Sequence, residues 1–225
     1  MNTLHTMKLK LTKNTLLSAL IGLSLLIQAC GGGSEKDVSE EVIGETPTPN
    51  SQAISSAQKQ FYINTITNEK LAEISDEGEQ LIVSLGTSNL FGILKRADKR
   101  KYVDQNDQLK YTVKYSDGSL KLNDGNEELL WKIKLYDDHF KISKDNDMDN
   151  SFRSGLSESA KIKVKKDDKE IGALRIRPND AFTTIKDKYT VRNFGSSMAL
   201  GILLIDEIPE EQKFILCAEL LKQGK

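Results

Sequence analysis

The sequence predicts a mainly β domain: an antiparallel meander of about twelve strands that closes into a barrel, followed by one or two C-terminal apolar helices. Three observations predict it. From residue 80 onward, apolar and polar residues alternate in short segments bounded by Gly, Asp and Asn, the pattern of strands with one buried face. Residues 101–114, KYVDQNDQLKYTVK, lie over residues 121–134, KLNDGNEELLWKIK, at an offset of 20 without a gap. Residues 196–205, SSMALGILLI, are apolar on every side, and a helix apolar all round has to be buried.

Taken in order, the chain begins with an address. Lys8, Lys10 and Lys13 form a basic segment free of acids, and residues 16–27 are an apolar run. That run is shorter than the roughly 20 residues a spanning helix needs and falls in the range of a signal peptide. Met7 serves as well as Met1 for the start, because MKLKLTKN is already a complete basic segment. Ile27-Gln28-Ala29-Cys30, followed by Gly31, resembles the lipobox of bacterial lipoproteins, with Gln28 departing from the commonest residue at its position. The resemblance implies a signal peptide at 1–29, cleavage between Ala29 and Cys30, and lipidation of Cys30 by acyl chains such as palmitate. It implies a cell-envelope protein whose partner is membrane lipid through acylated Cys30, in the outer membrane where the source has one. Each buried CH₂ contributes about 0.8 kcal/mol and one chain binds only marginally, so two or three chains make the anchor stable.

Removing residues 1–29 takes three lysines and no acid, leaving 29 basic and 33 acidic residues, a formal charge of −4. Residues 60–225 carry 27 basic and 28 acidic residues, which argues against nucleic acid as a partner, since a nucleic-acid-binding domain carries a strong positive excess. Cys217 is the one cysteine left beside Cys30. It lies in the apolar run FILCAEL and reads as a buried core thiol instead of a nucleophile. Residues 30–59 read as the lipidated cysteine and an acidic flexible tether: Gly-rich, with Thr-Pro-Thr-Pro, and poor in large apolar residues.

The single β-rich domain spans 60–225. Its first part, residues 53–74, is expected to form one amphipathic helix or a helix and a turn. From residue 80 twelve strands follow: LIVSL, FGILK, RKYV, LKYTVKY, SLKLN, ELLWKIKL, HFKIS, SFRS, AKIKVK, IGALRIR, FTTIK and YTVRNF. Asp104/Asp124 and Asn106/Asn126 are identical between the two copies of the repeat, and residues 163–177 follow the same outline with one residue inserted. Each copy is a strand, a polar turn and a return strand. Leu109, Tyr111, Val113 and Tyr115, like Leu129, Trp131, Ile133 and Leu135, share one face and form core. The lysines and arginines opposite them are read as keeping the sheet soluble and blocking edge pairing, in preference to a binding surface, because acidic turns balance their charge. After the break at Pro209, which suits the first position of a helix, EEQKFILCAELLK forms the last helix.

Such a meander followed by an apolar helix able to fill the barrel resembles the tubby-like barrel shared by the tubby, LURP-one-related and phospholipid scramblase families, over about residues 80–221. The resemblance implies a binding or membrane-associated module and transfers no lipid-binding residue onto a position here. The alternative is another closed or sandwich architecture with the C-terminal helices packed outside.

Chemistry is sparse. After signal removal His139 is the only histidine, so Ser-His-Asp, Cys-His and multi-histidine metal sites are excluded on inventory. It follows Asp137 and Asp138 and reads as a solvated turn residue. A calcium candidate stands at Asp145, Asp147 and Asp149, whose alternate carboxylates match the opening of a calcium loop, but Asn150 replaces the expected Gly and Leu156 the closing Glu. An acidic turn is the reading preferred. No catalytic residue, metal or cofactor is assigned, and no enzyme is expected. Two functions stay open: a lipid-anchored module binding lipid, a glycan or another small apolar ligand, which needs a cavity or groove between barrel and helix, and an envelope protein-protein interaction or structural lipoprotein without a ligand.

Overall fold

The computed structural model describes residues 59–157, 159–177 and 182–225. Fourteen strands make one antiparallel sheet. They are β1 (Lys59–Thr65), β2 (Lys70–Glu77), β3 (Gln80–Leu85), β4 (Ser88–Arg96), β5 (Lys99–Val103), β6 (Leu109–Ser116) and β7 (Ser119–Asp124). The second half comprises β8 (Leu129–Leu135), β9 (His139–Ser143), β10 (Phe152–Leu156), β11 (Lys161–Lys166), β12 (Lys169–Arg175), β13 (Thr183–Ile185) and β14 (Tyr189–Arg192). Strands β1 to β12 pair in chain order, and the β13–β14 hairpin pairs through β14 with β1. A nearly closed barrel results, with a seam between β12 and β13 that carries no ladder among the described residues.

The twelve strands expected from the alternation are β3 to β14. The helix expected at residues 53–74 is replaced, over its described part, by β1 and β2. Tertiary pairing decides this: Ile63 lies opposite both Val191 of β14 and Ala72 of β2, so the segment closes the barrel. Its β-branched run Ile63, Thr65, Ile66 and Thr67 suits a strand and a tight turn better than a helix, and Asn68 supplies the left-handed residue of that turn at φ 68°.

The 20-residue repeat is a repeat of turn chemistry. Asp104 Oδ1 accepts from the backbone N–H groups of Asn106 (2.8 Å) and Gln108 (3.0 Å), and Asp124 Oδ1 from those of Asn126 (2.9 Å) and Glu128 (2.8 Å). A bulge precedes each aspartate, at Tyr102/Val103 and at Leu122/Asn123. One carboxylate therefore satisfies two turn donors in each hairpin, and the repeated Asp fixes the register of both.

The lumen is filled from the C-terminal end. A 3₁₀ helix, Met198–Leu204, is buried at every residue, and α1 (Glu210–Lys222) is buried from residue 213 to 220. The chain crosses the barrel in the 3₁₀ segment, turns at Ile205–Pro209 and returns in α1. At a rise of about 2.0 Å per residue a 3₁₀ helix spans more of the lumen per residue than an α-helix, on a narrower section. Gly201 is where it touches the wall: a Cβ there would stand 1.9 Å from Ser154 Oγ and 2.9 Å from Ser154 Cβ. Around this hairpin the inward residues Ile63, Ile74, Val83, Val113, Leu120, Leu122, Ile133, Phe140, Ile142, Ile162 and Val164 are buried. Each such side chain contributes about 1.5–3 kcal/mol relative to exposure. The C-terminal helices lie inside the barrel, and Pro209 is the N-cap residue directly before α1.

Candidate functional site

Helix α1 enters the barrel with polar side chains, and wall aromatics meet each of them. Tyr189 donates to Glu210 Oε1 (3.0 Å), Tyr111 to Glu211 Oε1 (2.6 Å), and Trp131 Nε1 to Gln212 Oε1 (2.7 Å). Two turns later Glu219, fully buried, accepts from Tyr102 (2.8 Å) and Tyr115 (2.6 Å) and pairs with Arg100 Nε at 3.3 Å. Arg100 completes its set through Nη1, which donates to the carbonyls of Glu79 (2.6 Å) and Gly92 (2.9 Å). Gly92 is required here, since a Cβ would sit 2.7 Å from the Tyr102 ring.

Burial pushes the Glu219 carboxyl above its ordinary value while Arg100, Tyr115 and Tyr102 oppose the shift. Burial and Glu219 push the Tyr102 and Tyr115 hydroxyls up, so both stay donors. A buried ion pair is tolerable when its remaining hydrogen-bonding groups are satisfied, and that is the arrangement. This cluster pins α1 in the lumen; none of the cavities described below is lined by Arg100, Tyr102 or Glu219.

A large open space lies at the end of the barrel where β1 begins. A cup of about 790 Å³ separates the rim from the end of α1 and the start of the 3₁₀ helix. Phe61, Leu156, Met198 and Leu221 give it an apolar floor, and Lys59, Asp137, Asp138 and Lys225 stand among its lining as charges of both signs. Its wall is held: Phe61 packs edge to face on Phe194 with centroids 5.4 Å apart, the Ser197 hydroxyl donates to the Lys225 carbonyl, and Lys225 Nζ donates to the Tyr136 carbonyl at 3.0 Å. A smaller cavity of about 200 Å³ continues below Phe61 toward Ile74 and Leu81. An apolar floor with charges around it can take an amphiphile or a small apolar molecule with a polar end.

The residues singled out in the sequence are dispersed. Ala29 and Cys30 lie outside the described residues. Asp145, Asp147 and Asp149 sit in the β9–β10 turn, at the barrel end opposite the cup; Asp145 Oδ1 accepts from the Met148 backbone at 2.7 Å. Among the described residues no group of three or more His, Cys, Asp or Glu is gathered closely enough to hold a metal ion. His139 differs from the solvated turn residue expected: it opens β9, its ring stacks on Tyr136 at 4.3 Å, and its Nδ1 lies 2.6 Å from Asp138 Oδ1. Cys217 is buried, its Sγ donates to the Ala199 carbonyl at 3.4 Å, and burial pushes its thiol up, which makes it a core thiol.

The cup residues escaped the sequence reading because five segments far apart in the chain supply them. The buried cluster had a faint signal in Glu219, the single charge in the apolar run FILCAEL. Among the described residues no helix is long and apolar enough to cross a membrane. Comparison with protein-family models, with curated proteins and with solved structures gave no match, so the functional reading rests on the residues themselves.

Proposed function

We propose that this chain is a bacterial lipoprotein, anchored to an envelope membrane through acylated Cys30, whose barrel domain binds a lipid or another small apolar ligand in the cup at the β1 end. The observation that carries the reading is the cup itself: an apolar floor of Phe61, Leu156, Met198 and Leu221, open at the rim, in a barrel whose lumen is otherwise occupied by the C-terminal hairpin. Its volume of about 790 Å³ falls inside the ~300–1,000 Å³ range of small-molecule sites. The rim charges Lys59, Asp137, Asp138 and Lys225 then orient a polar end toward solvent. With the lumen filled by the C-terminal hairpin, the open cup at the rim is what supports a binding module.

Native mass spectrometry of the full chain purified from its own membrane, followed by solvent extraction, tests this. A reproducible mass beyond that of the acylated polypeptide, absent in Leu156→Glu, is the expected result. A bare acylated polypeptide in both proteins overturns the ligand reading and leaves the envelope interaction protein.

A further inference from the structure

The outer wall carries a row of cations that the strand register lines up. Lys114 lies opposite Lys121, Lys121 opposite Lys132, Lys134 opposite Lys141, Lys141 opposite Arg153, and Arg153 opposite Lys165. Lys132 and Lys134 share the outer face of β8, so the two series join into one row from β6 to β11. With strands about 4.8 Å apart, five steps extend the row over roughly 24 Å around the barrel.

Like charges directly opposite one another are destabilising, so a row of this kind is not a device for stability. Acidic turns neutralise only part of it: Glu127 takes Lys114 at 2.6 Å, and Asp138 lies 4.0 Å from Arg153. Lys121, Lys134 and Lys141 have no acidic partner among the described residues, and Lys165 lies opposite Glu170 of β12, whose carboxylate pairs with Lys163 at 3.2 Å. The row ends in a notch of about 250 Å³ at Gly155, flanked by Arg153, Lys163 and Lys165, by one acid, Asp138, and by His139, whose ring carries the half-exposed Tyr136.

The geometry points to this wall as a docking surface for a linear anionic polysaccharide, its carboxylates lying along Lys121, Lys134, Lys141 and Lys165 and one sugar unit entering the notch over Gly155. Charge complementarity names an anion, and the shape of the surface names the class. A flexible chain follows a convex barrel wall, whereas a planar membrane meets only a few of its strands. The four exposed large hydrophobics, Ile66, Tyr136, Ile171 and Phe182, lie off the row, so it lacks the aromatic anchors of a protein interface and the successive rings on which single-stranded nucleic acid stacks. Tyr136, beside the notch, offers a ring face to a sugar.

Calorimetric titration of the full chain with oligogalacturonate, at several salt concentrations, tests the proposal. The wild type is expected to bind, with affinity falling as salt rises. The triple variant Lys134→Glu, Lys141→Glu, Lys165→Glu is expected to lose about tenfold or more, and the matching Lys→Gln triple to lose less. A control with the same net charge, Lys70→Glu, Lys95→Glu, Arg192→Glu, reverses cations on β2, β4 and β14 and is expected to bind like the wild type. Equal losses in the two Glu triples, absence of binding by the wild type, or equally tight binding to duplex DNA or to vesicles of anionic phospholipid would overturn it. Neither the cup nor its ligand enters this test.

Discussion

On the inner surface of the barrel wall, Tyr102, Tyr111, Tyr115, Trp131 and Tyr189 each donate a hydrogen bond to a side chain of α1; on the outer surface, Lys121, Lys134, Lys141 and Lys165 meet other cations across the strands. Strand β8 carries a member of each set, Trp131 facing in and Lys134 facing out. Inside, desolvation makes an unpaired polar group costly, and these five wall donors each meet an acceptor on α1; buried Lys213 of α1 meets the wall through the Tyr189 ring, 5.8 Å from its ammonium, and Ser154 Oγ stays without a hydrogen-bond partner. Outside, water and salt screen the repulsion, so a row of like charge costs little and is free to serve recognition. The lumen holds the helix, and the outer wall and the open end are left for binding.

The inner surface gives the largest effect. Glu219→Ala leaves Arg100 buried without its counter-charge, and a loss of about 3–5 kcal/mol is expected in denaturant unfolding. Replacing both partners, Arg100→Met with Glu219→Leu, is expected to recover part of that loss, because the unpaired charge is gone while the Tyr102 and Tyr115 hydroxyls still lack their acceptor. A double variant as unstable as Glu219→Ala would mean that the tyrosine hydroxyls, not the charge pair, set the loss.

Gly201→Ala comes next. Its Cβ meets Ser154 at 1.9 Å from Oγ, so the 3₁₀ helix must move off β10, at a cost of about 1–3 kcal/mol. Ser154→Gly in the same chain removes both clashing atoms and is expected to return part of the stability; a lack of any recovery would place the strain elsewhere.

The pH dependence comes from carboxylates that lysines hold at the turns and at the mouth of α1. Lys114 and Lys99 hold the Glu127 carboxyl down at about 2, and hydrogen bonds from Lys186 to Asp206 and from Lys188 to Glu210 hold those carboxyls below their ordinary range. A lowered folded-state pKa gives stability that is full above the ordinary carboxyl value and is lost as pH falls toward 2. Thermal midpoints measured between pH 5 and 2 are expected to fall, and Glu127→Gln to fall less steeply over the same window. The smallest effect is a gain: Lys121→Glu places an acid between Lys114 and Lys132 and is expected to raise stability by about 0.5 kcal/mol. A loss would show that the outer row contributes to the fold.

The sequence was most legible where the information is local. Alternation found β3 to β14, because a strand with one buried face repeats every two residues, and the Asp104/Asp124 repeat marked two hairpins whose turns use the same carboxylate. The burial of residues 198–205 followed from their being apolar on every side. What stayed hidden depends on distant partners. β1 and β2 are strands because β14, more than a hundred residues on, pairs with β1. Arg100 becomes an interior residue only because Glu219 stands opposite it at the other end of the domain. The cup needs Phe61, Leu156, Met198 and Leu221 together, which no spacing announces. The cation row was visible as outward lysines, yet its continuity depends on the register between strands, which alternation alone leaves open.

Native-state amide hydrogen exchange on α1 tests the central claim most directly. If wall and helix are matched as described, the amides of residues 214–220 exchange only through global unfolding and rank with the slowest of the central strands. Exchange of those amides through a smaller opening, while the strands stay protected, would mean that the helix leaves the lumen and that the barrel interior, not its rim, is the binding site.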